Sequence, residues 1–210
     1  MRIIIWVLAS ALVASATFAQ APAHVPIVRI SPAKSAIRFS VKASVAIAGT
    51  FDKWDATMTF TSAHVEDGAL NIKIQAASVD TGSRMKNDKL KDKDFFNADE
   101  EPYITFRSTK IVQTGPFSFD VPGTFTIRGV SKPVTLTITG NGSRTSGHAE
   151  ITGTMAFDRK EFGMNSGIPF IRIADRVEVT VDLDVNRVSG PQLIFRQYPQ
   201  ATAPSSSSER

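Results

Sequence analysis

The chain has 210 residues, 42% of them apolar, with 24 Lys and Arg against 20 Asp and Glu, a formal charge of +4 and no cysteine. That length suits one domain with a real core. Basic and acidic residues are mixed nearly everywhere, which excludes the basic stripe of a nucleic-acid binder, and the missing cysteines exclude a disulfide framework and an N-terminal lipidated cysteine.

In chain order, Arg2 and the apolar run IIIWVLASALVASATF precede small residues around Ala19. This reads as a secretory signal over residues 1–19, with a mature chain that begins at Gln20. The run is short for a membrane span of about 20 residues, and no later segment approaches that length, so no integral span is expected after cleavage.

Period two then dominates. Ile37, Phe39 and Val41 alternate with polar residues, as do Trp54, Ala56, Met58 and Phe60, then Leu70, Ile72 and Ile74, then Ile104 and Phe106. Phe117, Phe119 and Val121 follow, with Phe125 and Ile127, then Val134, Leu136 and Ile138, then Ile151, Met155 and Phe157. The clearest strand carries Val177, Val179, Val181, Leu183 and Val185 against Glu178, Thr180, Asp182 and Asp184. Alternation of this kind marks half-buried strands. Eight or nine of them, joined by turns such as Glu66-Asp67-Gly68 and Gly140-Asn141-Gly142, predict an all-β antiparallel meander, a sandwich or a barrel of about eight strands.

Two stretches lack the period. Gly82 to Pro102 predicts a short helix capped by Ser83 and then an ordered loop. From Ser189 onward the chain, ending in PQATAPSSSSER, predicts a disordered Pro/Ser-rich tail over 189–210, so that the domain covers 20–188.

Catalytic patterns are sparse. His24, His64 and His148 are dispersed without metal-ligand spacing and read as surface residues, and GMNSG at 163–167 is not a nucleophile elbow. SVDTGS at 78–83 resembles the active-site loop of aspartic proteases, but only one copy exists. A dimeric hydrolase built on Asp80 is therefore the enzymatic alternative; the same residues also suit a strand that ends in a turn.

SAIRFSVKAS followed by GTFDKWDATMTF, VDTGS leading to LKDKDFFNADEEPYITFRST, GTFTIRGVSKPVTLTI, and DRKEFGM stand in an order and spacing that together resemble the YceI-like family of bacterial periplasmic, polyisoprenoid-binding proteins. The resemblance covers about Ile30 to Val188. It implies a lipocalin-like antiparallel β-barrel with a hollow apolar interior, a non-catalytic role without cofactor or metal, and a periplasmic location. Its implied partner is a long-chain isoprenoid or other lipid, held by a monomer or a homodimer. Where family members often carry Arg-Asp-x-His-Leu, this chain has Lys86-Asn87-Asp88-Lys89-Leu90.

Within that frame the charged stretch KLKDKDFFNADEEP at 89–102 reads as a cover whose Phe95 and Phe96 face an apolar barrel mouth. Aspartate at both positions is then expected to spare the strands and expel the ligand. Expected cavity residues are Phe39, Trp54, Met58, Phe60, Phe95, Phe96, Phe106, Ile127, Phe157, Phe162 and Met164. Arg84, Lys86, Lys89 and Arg159 are the expected contacts of a polar head group. A filled barrel that serves as an envelope interaction module remains the second reading, because eight-stranded barrels occur both filled and ligand-bearing.

Overall fold

A computed structural model describes residues 25–44, 47–143, 147–167 and 172–198. The signal expected over 1–19 lies outside the described residues. Alternating apolar faces place one antiparallel sheet around a single core, with strands β1 Ile27–Ile30, β2 Ala36–Ala43, β3 Ile47–Phe51, β4 Trp54–Phe60, β5 Gly68–Gln75 and β6 Val79–Asp80. Helix α1, Arg84–Lys91, interrupts them before β7 Tyr103–Ser108, β8 Val112–Gln113, β9 Ser118–Ile127, β10 Val130–Ser143, β11 His148–Asp158 and β12 Ile173–Ser189. The sheet order is β4-β5-β7-β9-β10-β11-β12-β2-β3-β6, with β1 paired to β12 and β8 to β9.

The sheet curls until its ends meet. β1 packs on β4 while it pairs with β12, and the bonds from Asp52 N to Ser78 O, 3.1 Å, and from Gln75 N to Lys53 O, 2.9 Å, tie the β3–β4 corner to the end of β5. The result is the lipocalin-like antiparallel barrel that the family resemblance implies, and the sandwich that the alternation also allowed is set aside. Its strands number twelve among the described residues rather than about eight, because β6 and β8 have two residues each and β1 four, too short to display a period.

Two further readings are corrected. Gly140-Asn141-Gly142 is not a turn: β10 continues through it to Ser143 and pairs with β11 from Thr137↔Thr154 to Ser143↔His148. The tight turn lies at the other end of β10, where Arg128 and Gly129, with φ 54° and 71°, supply the two positive-φ positions that a two-residue hairpin loop demands. Phe117 precedes β9 and is 49% exposed, more open than Phe119 and Val121, although it borders the same interior space.

The end drawn at Ser189 is set too early. Ile194 N donates to Ala63 O at 2.8 Å, Val65 N donates to Ile194 O at 3.1 Å, and Phe195 packs on Phe119 with ring centroids 6.1 Å apart. Gln113, only 2% exposed, accepts from Arg196 N at 2.7 Å, and its carbonyl accepts from the Tyr198 hydroxyl at 2.7 Å. Hydropathy period cannot reveal such a strap, since it is held by main-chain and amide bonds. Truncation after Pro191 is expected to cost about 2–4 kcal/mol, because it leaves a buried amide half-satisfied and exposes Phe119. Urea denaturation measures this; an unchanged midpoint would show that the strap adds nothing.

Candidate functional site

The barrel interior contains two apolar cavities placed end to end. The near one, about 80 Å³, is bordered by Phe39, Phe106, Ile127, Phe157 and Met164 and closed by Leu90, Phe95 and Phe96. The far one, about 150 Å³, is bordered by Met58, Phe60, Leu70, Val121 and Ile138 and closed by Leu193 and Phe195. Single strands feed both. On β9, Phe125 and Ile127 face the near cavity and Phe119 and Val121 the far one; on β10, Leu136 faces the near and Ile138 the far.

A waist separates them at two inward glycines. A methyl group on Gly123 would stand 2.5 Å from the Arg107 carbonyl oxygen and 2.8 Å from the Phe106 ring, and one on Gly153 would stand 3.1 Å from three Leu136 carbons, so neighbouring backbone and these two side chains lie in space the glycines leave. Phe106 and Leu136 thus stand between the two lobes, each packed against an inward glycine.

The near end is shut by the segment after α1. Phe95 and Phe96 are 4% and 7% exposed, and the Phe96 ring meets Phe51 at 5.8 Å and Phe39 at 6.3 Å. Helix α1 is started by a polar knot instead of a Ser83 side-chain cap, which is absent. Asp80 Oδ1 accepts from Gly82 N at 2.9 Å and from Asn87 Nδ2 at 3.0 Å, while Asn87 Oδ1 accepts from Thr81 N at 2.8 Å. The Gly82 amide first, and Asn87 second, hold the Asp80 carboxyl below its ordinary range. Asp80 is thus an exposed turn-forming carboxylate, and the aspartic-protease resemblance of its loop is explained by that turn.

Sequence reasoning missed Arg128. Its Nη2 donates to Lys93 O in the cover at 2.6 Å and its Nη1 to Gly163 O in the loop after β11, so one guanidinium pins the cover to the barrel rim. The only available signal was its place in the TIRGV turn.

The remaining expected residues divide. Trp54 is half-buried against the core, and Phe162 packs behind the near cavity on Phe157 and Phe125, at 5.2 and 5.5 Å; neither borders either cavity. Arg84 projects into solvent with Asp88 at 3.8 Å, and Lys86 is half-buried on the same helix. Lys89 pairs with Asp92 at 3.2 Å and Asp94 at 3.4 Å, and its ammonium stands 5.6 Å from the Phe95 ring centroid. Asp92 first holds its pKa above the ordinary value. None of the three borders a cavity.

Arg159 borders the near cavity, but its donors are committed to the fold. Nε donates to Ala174 O at 3.2 Å, Nη1 to Ser166 O at 3.0 Å and to Met164 O, and Nη2 stands 3.2 Å from Asp175. The Lys160 hydrogen bond first, with Arg159 behind it, keeps the Asp175 carboxyl below its ordinary range. The polar residues that border a cavity otherwise lie at the far rim, namely Asn141, His148 and Arg187.

Residues 29–185 match the YceI-like domain. The chain belongs to the YceI-like family. Among its relatives, the UPF0312 protein of Pseudomonas savastanoi pv. phaseolicola is 31% identical over 144 residues, 67% of this chain and 71% of that protein. The crystal structure of Burkholderia cenocepacia BcnA superposes with a TM-score of 0.67 at 29% identity, covering 75% of this chain and 99% of BcnA. A polyisoprenoid binding domain from Saccharophagus degradans, implicated in plant cell wall breakdown, shares the fold at a TM-score of 0.59 with 14% identity, over 77% of this chain and 99% of that domain.

In this YceI-like barrel the Arg128 pin has a direct test. Arg128→Ala removes charge-assisted bonds worth about 1.5–3 kcal/mol each at most. The expected result is at least tenfold faster amide exchange at Phe95–Ala98 with unchanged protection on β10 and β11. Equal acceleration everywhere would show that Arg128 supports the whole barrel rather than the cover.

Proposed function

We propose that this YceI-like protein binds or carries a long apolar amphiphile, a polyisoprenoid or similar lipid, inside the barrel without altering it, in the bacterial periplasm after removal of residues 1–19. The observation that carries this reading is the pair of apolar cavities aligned along one barrel, with Phe106 and Leu136 packed on inward glycines between them. The Saccharophagus degradans neighbour, a polyisoprenoid binding domain, points to the same ligand class. The location rests on the leader pattern of the sequence; among the described residues no helix is long and apolar enough to cross a membrane.

Burial of one five-carbon isoprene unit contributes about 4 kcal/mol at about 0.8 per carbon, so three or four units exceed most of the ~4–15 kcal/mol cost of association, provided that the cavities of about 80 and 150 Å³ widen to admit that length. Tail burial suffices without a strong head-group contact. A head group would meet Asn141 and Arg187 at the far rim. Arg187 commits Nη1 to Gly190 O at 2.8 Å, and its side chain lies across Gly147. Native mass spectrometry of protein isolated from its own envelope, followed by solvent extraction, is expected to show a lipid adduct at about one per chain. Protein that emerges bare, and takes up no added polyprenol or fatty acid, would overturn the carrier reading in favour of a filled interaction module.

A further inference from the structure

Asp184 is the one acidic side chain buried among the described residues, at 4% exposed, and it lies on the outer face of β12 between the core residues Leu183 and Val185. The register sets Glu150 of β11 directly opposite it, and His148 lies two residues before Glu150 on that face. Two carboxylates directly opposed across strands repel, and a buried one persists only with partners that favour its charge. Here the imidazole stands in that role, its Nε2 2.9 Å from Asp184 Oδ2. One donor atom from each of His148, Glu150 and Asp184 lies within 4.8 Å of the other two.

We propose that these three side chains form a divalent transition-metal site of zinc type, with the fourth position open to water. One imidazole nitrogen and two carboxylate oxygens are the borderline donor set that zinc accepts, and bonds of about 2.0–2.2 Å place tetrahedral ligand atoms about 3.4 Å apart. The His148–Asp184 pair at 2.9 Å opens slightly to that value when the ion replaces the shared proton, and rotation of exposed Glu150 brings in the third ligand with both strands fixed. The outer groups that orient such ligands are in place. Asn186 Nδ2 donates to Asp184 Oδ1 at 2.7 Å, Asp184 N donates to Ser35 Oγ at 3.0 Å, and Ser31 N donates to Asp184 O at 2.9 Å. Half-exposed His148 and exposed Glu150 give an ion its entry from solvent. The site stands outside the apolar-ligand reading, apart from the His148 ring, which also borders the far cavity.

The test uses untagged full-length protein stripped with a chelator. Isothermal titration with ZnCl₂ is expected to give one equivalent bound, and CoCl₂ the intense visible bands of a four-coordinate ion. Glu150→Gln, an exposed change that keeps the fold, should weaken zinc at least about tenfold, and His148→Ala about a hundredfold. A zinc-induced shift of the His148 ring signals in NMR reports on the same site when His148→Ala proves unstable. Absence of binding at millimolar zinc would overturn the site, as would binding that Glu150→Gln leaves unchanged and that does not move the His148 ring.

Discussion

Phe96→Ala lowers the unfolding free energy by about 3–5 kcal/mol, and Phe95→Asp combined with Phe96→Asp abolishes the cooperative transition. The truncation deletes a ring 7% exposed that touches Phe51 and Phe39, so strands β2 and β3 lose a partner together with the cover. Aromatic pairs of this spacing add about 0.5–1.5 kcal/mol beyond the area they bury. Two carboxylates at those positions each carry a desolvation cost of several kcal/mol against a total stability of about 5–15 kcal/mol. The expectation that charge there spares the strands fails for the same reason: the pair is joined to the strands through Phe39 and Phe51. Guanidinium denaturation followed by tryptophan fluorescence measures the single variant. A loss under about 1 kcal/mol would mean that the cover is only loosely seated and that the aromatic cluster closes without it.

The antiparallel strands were legible because the long ones present one apolar face, and period two survives in a single sequence without knowledge of partners; their closure into a barrel rested on the family resemblance. Val177 to Val185 declare their inner face through alternation with Glu178, Thr180, Asp182 and Asp184, and the structure keeps that assignment, with Asp184 buried under the segment around Ser31 and Ser35. Most of the expected cavity residues fall on the two cavities for the same reason. What was illegible depends on distant pairs. Arg128 reads as an ordinary turn arginine until the fold carries Lys93 and Gly163, each 35 residues away, to its guanidinium. The strap at Leu193–Tyr198 looks like tail because its hold is the amide of Gln113, 83 residues from Arg196. Asp184 stands 36 residues from His148, beyond the reach of any ligand-spacing rule. The expected head-group cations divide: Arg84, Lys86 and Lys89 border neither cavity, while Arg159 reaches the near one with its donors spent on the fold.

Leu136→Ala decides whether one chain threads both cavities. Leu136 is 2% exposed and leans on Gly153 from the neighbouring strand, so its removal joins the spaces of about 80 and 150 Å³ into one channel bordered by β9, β10, β11 and β12. The packing cost is about 2–5 kcal/mol, because the facing position is a glycine and cannot fill the void. In a binder whose ligand spans both lobes, that cost falls on the empty protein, while the occupied protein replaces Leu136 contacts with ligand contacts. The variant should therefore melt lower when delipidated, yet recover most of the loss with a long polyprenol and little of it with a chain too short to cross the waist. Stabilisation by excess ligand follows the logarithm of its concentration over the dissociation constant, so thermal shifts at fixed lipid compare the two proteins directly. Equal shifts from short and long chains in both proteins would confine the ligand to one lobe and leave Phe106 and Leu136 as a permanent wall.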